Sequence, residues 1–304
     1  VFDLLKRIFK SAANGRPAES QPGAGRTTPL STSHATAPLV TPDATIGSDS
    51  PIRMAHSQSV GRVRDHNEDV LLTLTSTFEG DEKMPSFGLY VVADGMGGHS
   101  LGERASSVAA RTVAREVTKR IYLALLDDSD NSERPPLQQV VEEALAEANR
   151  AVVKAVGEGG TTGTVALIFN DQLIIGHVGD SRAYLITNTG IEQLTRDHSL
   201  VQRLVELGQL SPAEAAIHNQ KNVLYKAIGQ GEGLEADVTM HRLAPGTKIL
   251  LCSDGLWGYV DESHLLNIVR QAPSLKLACD KMVNAANEAG GPDNITAVLI
   301  EYNP

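Results

Sequence analysis

The sequence predicts an α+β fold built in layers, with helices covering the outer faces of stacked β-sheets. Two observations carry this. Strand-like apolar runs are mixed with pairs of long helical patterns, and the two do not alternate one for one as a doubly wound parallel sheet requires. The apolar fraction of 41% over 304 residues is ordinary for a globular chain and allows a sizeable core.

In chain order, residues 1–10 (VFDLLKRIFK) set Phe2, Leu5, Ile8 and Phe9 along one side of a helix, with Lys6, Arg7 and Lys10 largely elsewhere. This short basic amphipathic element has two readings: peripheral contact with a membrane surface or docking partner, or a frayed end that folds on nothing. From Ser11 to Pro51 the chain is mostly Ala, Pro, Gly, Ser and Thr. Such a segment cannot bury enough apolar surface to offset its ordering entropy, so residues 1–51 are read as a disordered tether and 52–304 as the folded domain.

Strands are expected at Phe87–Ala93, Val165–Phe169, Leu173–Val178, Ala183–Ile186, Ile249–Cys252 and Ile295–Ile300, several of them bounded by Gly, Asp or Asn. A first long helix is expected after Ser100, where Ser100-Leu101-Gly102-Glu103 has the form of a capping box, running through Val108, Thr112, Arg115 and Ile121. A second, over about 137–156, places Val141, Leu145, Ala148, Val152 and Val156 at three- and four-residue spacing. Two more follow at 262–271 and 274–289. The polar stretch 196–230, with short helical pieces at Ser199–Leu207 and a second capping box at Ser211–Glu214, reads as a lid or flap. The glycine-rich Gly157–Thr164 lacks a Walker lysine and follows a helix, so it reads as a helix-to-strand connection.

A formal net charge of -10 argues against general nucleic-acid binding, which needs clustered cations. Cys252 and Cys279 lie in apolar stretches without CxxC spacing and are expected as buried free thiols in a reducing compartment. No run approaches the roughly 18 apolar residues of a membrane span, and no signal-peptide core appears, so a cytoplasmic protein is expected.

Five segments set unusual polar residues beside glycine or at the ends of apolar strands: RDHNED at 64–69, ADGMGGH at 93–99, GDSR at 179–182, SDG at 253–255 and GGPDN at 290–294. Each alone reads as a turn. Jointly they differ, because Asp94, Asp180 and Asp254 each end an apolar strand and would meet at a common edge, poorly solvated and mutually repelling. A divalent cation resolves that conflict, and all-oxygen ligation suits Mg²⁺ or Mn²⁺. Gly95 and Gly255 would let backbone carbonyls and substrate approach. The histidines form no HxxxH or HExxH pattern, which disfavours zinc. Two ions sharing a water would lower its pKa and hold the attacking and leaving oxygens of an in-line displacement, with phosphate monoesters the natural substrate. Arg64, four residues before Glu68, has a fork suited to phosphoryl oxygens, against the plainer reading of a surface salt bridge. No GxSxG elbow and no Cys-based phosphate loop competes.

VRDHNED at 63–69, VADGMGGH at 92–99, GTT at 160–162, HVGDSRAYL at 177–185, LCSDGLW at 251–257 and GGPDNIT at 290–296, in that order, make the chain resemble the metal-dependent protein phosphatases of the 2C type, in their bacterial branch. The resemblance covers about residues 55–302. It implies a central antiparallel β-sandwich flanked by pairs of helices, with a small flap near 197–230 beside the active site. It also implies a Ser/Thr phosphoprotein phosphatase, a hydrolase that opposes a cognate Ser/Thr kinase and acts as a monomer. Asp94, Asp254 and Asp293 would bind one Mn²⁺ or Mg²⁺ ion, and Glu68, Asp94 and the Gly95 carbonyl the other. Asp69 would orient a metal-bound water, Arg64 would bind phosphate, and Asp180 with Asp254 would hold a third ion.

The chain departs from the pattern in places. Met96 stands where eukaryotic members have a histidine, which leaves the general acid unassigned. Gly159 replaces a Met before GTT, and Asn222 stands where some relatives have Ser near the third ion. Two other classes stay open at this stage: a silent binding module that sequesters phosphopeptides, and a regulator acting on one anti-sigma-type partner.

Overall fold

The computed structural model describes residues 50–78, 84–98, 100–127, 135–231 and 233–304. The expectations for the amphipathic start and for the tether up to position 49 lie outside them. The described strands pair into two antiparallel sheets. One has the order β1 (Ile52–Ser59), β11 (Ile295–Tyr302), β10 (Thr247–Cys252), β7 (Arg182–Ile186), β8 (Ile191–Gln193). The other runs β2 (Asp69–Ser76), β3 (Phe87–Met96), β5 (Gly163–Phe169), β6 (Gln172–Val178), β9 (Asp237–Arg242), with β4 (Gly160–Thr161) pairing the end of β3.

The layers follow from the two-residue period of a strand. In β3, Tyr90 and Val92 enter a core between the sheets, packed with Ile168, Ile249 and Val298, while Leu89 and Val91 face the opposite way. That outer face is covered by α1 (Ser100–Val117) and α2 (Leu137–Val156), whose Ala109, Val113, Leu145 and Val152 complete a second core. In the other sheet Leu250, Ala297 and Leu299 meet Leu265, Met282 and Val283 of α6 (Glu262–Gln271) and α7 (Leu275–Glu288) in a third. The result is the expected sandwich with a helix pair on each outer face. Strands buried on both faces read as continuous apolar runs, which is why they stand out in the sequence.

The flap carries α3 (Leu200–Glu206), capped by Ser199, and α4 (Pro212–Ala216), which has the expected Ser211–Glu214 capping box. A one-turn helix, α5 (Asp254–Trp257), follows β10. The start of α1 differs from expectation. Ser100 is already helical and Leu101 N–H donates to the Gly98 carbonyl at 3.4 Å, so Ser100 lies within the first turn and does not cap it. The helix also ends at Val117, passing into a π-helical turn over Thr118–Tyr122 that contains Ile121. Gly157 closes α2 at φ 77° and the chain enters β4 and β5, as expected of a connection. No helix among the described residues is long and apolar enough to cross a membrane.

Candidate metal centre

The strand ends bring the expected acids to one cleft of about 220 Å³. Its lining includes Arg64, Glu68, Asp94, Gly95, Asp180, Asp254 and Asp293, all named by the sequence reading. Asp69 lies immediately behind, paired directly across the β2–β3 ladder from Asp94. Two like charges opposite each other in a ladder repel.

Each acid is fixed by its backbone. Asp94 N–H donates to Thr162 Oγ1 at 2.9 Å, and the Asp94 carbonyl accepts from Thr162 N–H and from Thr161 Oγ1–H at 2.8 Å each. This is the use of the GTT segment. The Glu68 carbonyl accepts from Ser106 Oγ–H at 2.7 Å and from Gly95 N–H at 3.2 Å, which ties the 64–69 loop to α1 and β3. Asp180 sits after Gly179, whose φ of 107° makes the turn, and its carbonyl accepts from the Trp257 indole N–H at 2.9 Å. Asp293 follows the Gly290–Gly291 turn, and its Oδ1 accepts the N–H of Asn294 at 2.9 Å.

Gly95 and Gly255 are also required by the packing of the backbone around them. A Cβ at Gly95 would stand 2.3 Å from the Gly102 carbonyl oxygen and 2.8 Å from that of Glu68, and one at Gly255 would stand 2.0 Å from the carbonyl of Asn294. The protein's own backbone closes in on both. Gly159 is likewise walled in by Val156 and Leu101, so the packing around it has no room for a methionine.

Electrostatically the site is overloaded. Burial, and then the charges of Asp69 and Asp254, hold the Asp94 carboxyl well above the usual carboxylate range. Asp180 is pushed up by burial and by Asp254 and Asp197, with Arg182 opposing. Burial lifts Asp254 to about 6, with Asp293 adding to it. Burial also raises Asp69 to about 7, against the hydrogen bonds that Thr296 and Ser253 donate to its Oδ2 at 2.6 and 2.7 Å. Asp69 Oδ1 and Asp254 Oδ1 are buried without any hydrogen-bond partner. Buried acceptors that lack a donor and repel one another are what a cation relieves. The side chains around the cleft are hard oxygen donors suited to Mg²⁺ or Mn²⁺. No group of three His, Cys, Asp or Glu donors among the described residues closes to coordination geometry. The fit to metal therefore rests on donor chemistry and on the two orphaned oxygens.

Arg64 joins this centre from the β1–β2 loop, its Nη2–H donating to Asp293 Oδ2 at 2.8 Å. The salt-bridge reading of Arg64 and its place at the cleft are thus both realised. Met96 and Asn222 also line the cleft. Asn294 and Arg182 are among the supports the sequence reading missed. Asn294 is quoted only as part of a motif, yet its buried amide joins three segments. Arg182 makes a bidentate ion pair with Asp197 (2.7 to 3.2 Å) that pins the base of the flap to β7. An Arg two residues after Asp180 and an Asp at the start of the flap were the available signals. His177 and His198 are buried structural groups behind the GDSR turn, with Gly179 N–H donating to His198 Nδ1 at 3.0 Å.

Comparison with known proteins agrees with this geometry. A family model described as Protein phosphatase 2C matches residues 55–295. A serine/threonine phosphatase stp of Listeria welshimeri is 35% identical over 243 residues, covering 80% of this chain and 93% of its own. The serine/threonine phosphatase of S. agalactiae superposes with a TM-score of 0.70 at 30% identity, over 83% of this chain and 100% of that one. The catalytic domain of the serine/threonine protein phosphatase PstP, solved with two manganese ions, gives 0.66 at 30% identity over 83% and 99%. With the acid-lined cleft at the meeting of its two sheets and a match spanning most of the folded residues, the chain belongs to the protein phosphatase 2C family.

Proposed function

We propose that the acid-lined cleft is where this metal-dependent phosphatase hydrolyses phosphoserine and phosphothreonine in proteins, opposing a Ser/Thr kinase. The observation that carries the reading is the pair of buried, partnerless oxygens on Asp69 and Asp254 inside a ring of raised carboxylates. Asp94, Asp254 and Asp293 would hold one Mn²⁺ or Mg²⁺ ion, Glu68, Asp94 and the Gly95 carbonyl a second, and Asp180 with Asp254 a third. When bound, such ions lower the pKa of water and neutralise charge on the phosphoryl oxygens.

The chain's own groups do the rest. Ser253 and Thr296 fix Asp69 through Oδ2, which leaves Oδ1 free to accept a hydrogen bond from the attacking water and orient it. Arg64 sits at the mouth with a guanidinium fork suited to the phosphoryl oxygens. Two buried, unpaired thiols, Cys252 and Cys279, support a reducing, cytoplasmic setting.

Hydrolysis of p-nitrophenyl phosphate with added Mn²⁺ tests the reading. Turnover that depends on metal and is lost in Asp254→Asn is expected. Absence of turnover, together with no effect of Asp254→Asn on metal binding, overturns it.

A further inference from the structure

A second cleft, of about 510 Å³, opens directly from the first and shares Asp180, Asn222, Asp254 and Asp293 with it. Beyond these shared residues its lining combines polar groups, Arg182, Asp197, Ser199, Gln202 and Lys221, with two facing apolar stretches. Val201, Val205, Ala215 and Ala216 of the flap helices stand on one side, and Trp257 and Tyr259 after β10 on the other. Both walls are pre-formed. The Trp257 indole is held by its bond to the Asp180 carbonyl at 2.9 Å and by the Arg182 guanidinium 3.5 Å from its ring centroid. The flap helices are capped at Ser199 and Ser211 and anchored through Asp197. Fixed apolar walls around a few polar groups are the usual make-up of a ligand cleft.

A phosphoresidue seated in the acid cleft carries peptide on both sides of it, and the second cleft begins at the same floor. We propose that this second cleft is a specificity subsite that takes a bulky aliphatic side chain of the phosphoprotein, a few residues from the phosphorylated one. Small Ala215 and Ala216 leave the room for it, and Val205 and the partly exposed Tyr259 lose water when it enters. The proposal rests on the acid cleft being the phosphate site.

The test uses the full chain with Mn²⁺ and phosphothreonine peptides carrying one leucine or one alanine at each position up to three residues either side of the phosphoresidue. At one position leucine should raise kcat/KM about tenfold over alanine, the scale of a filled apolar pocket. Ala216→Glu and Val205→Glu should each bring that ratio to about one. Both peptides are measured on the same preparation, so the folded fraction cancels. A ratio near one at every position in the parent protein, or a tenfold ratio that survives both substitutions, overturns the subsite while leaving the phosphatase reading intact. Failure to hydrolyse either peptide sinks both.

Discussion

The side-chain oxygen of Asn294 accepts the Glu68 backbone N–H at 2.7 Å, while the amide nitrogen donates to the carbonyls of Val60 and His66 at 2.9 Å each. One buried amide thus locks the loop that carries Arg64 and Glu68 to the loop that carries Asp293. Asn294→Ala strands the buried Glu68 N–H, an unpaired group costing about 1–3 kcal/mol, and also removes the bonds to the half-buried carbonyls of Val60 and His66. A destabilisation on the order of 3 kcal/mol is expected in urea unfolding. The Mn²⁺ concentration for half-maximal activity should rise at least about tenfold, as when metal ligands lose their supports.

Asp254→Asn should raise stability without metal while weakening metal binding and turnover. Removing one of the crowded charges relieves Asp94, Asp69 and Asp180, which its carboxylate pushes up. The melting temperature in EDTA should therefore rise, while the Mn²⁺-induced increase in Tm shrinks and turnover falls by about a hundredfold or more. A lower Tm in EDTA would show that Asp254 is held by attraction and not by the demand for a cation.

The pH dependence has a definite sign. Asp69 at about 7 and Asp254 at about 6 are raised above their ordinary value of 3.8, with burial the main cause in both. The folded state then binds more protons than the unfolded one between about pH 4 and 7, so these groups lower stability as pH rises through that window. A cation takes the place of the protons. The Tm gain from Mn²⁺ over EDTA is expected to be larger at pH 7.5 than at pH 5, measured by differential scanning fluorimetry. A gain that does not change with pH would mean that no proton is displaced.

How much of this was legible in the sequence follows from burial. The strands sandwiched between two cores, such as β3 and β10, are unbroken apolar runs and were found to within a few residues. Edge strands β1 (IRMAHSQS), β2 (DVLLTLTS) and β9 (DVTMHR) carry many polar or half-exposed positions and show no such run. Asp94, Asp180, Asp254 and Asp293 were readable because each stands at a break between an apolar run and a glycine, and Glu68 because it ends a polar run just before the apolar start of β2. Their bracing was not. Thr162 on Asp94 and Asn294 on Glu68 are contacts over 68 and 226 residues of sequence, made by side chains that look ordinary in isolation.

Arg64 pairs with Asp293 at 2.8 Å, yet about half of its side chain is exposed, at 48%. A pair so open to water contributes roughly 0–1 kcal/mol to stability. Arg64→Ala should thus leave unfolding nearly unchanged and act on substrate, with KM for a phosphopeptide rising about tenfold and the Mn²⁺ half-saturation shifting much less. Parallel losses of metal and substrate binding would instead assign Arg64 to holding Asp293 in place.

Gly95 tests whether the site's geometry is enforced by backbone packing. A methyl there would stand 2.3 Å from the Gly102 carbonyl oxygen and 2.8 Å from that of Glu68. Both obstacles are main chain, so neither the first turn of α1 nor the Glu68 loop can yield by a rotamer change. Gly95→Ala should cost on the order of 3 kcal/mol or more in stability and abolish metal-dependent turnover, because displacing the Glu68 loop moves a candidate ligand. Gly190, in the β7–β8 turn, has no atom within 4 Å of its would-be Cβ. Gly190→Ala should therefore be neutral or stabilise by up to about 1 kcal/mol through the unfolded chain. Thermal unfolding in EDTA and Mn²⁺-dependent hydrolysis, measured on both variants, give the comparison. Equal tolerance at the two positions would show that α1 and the Glu68 loop can separate without disturbing the site.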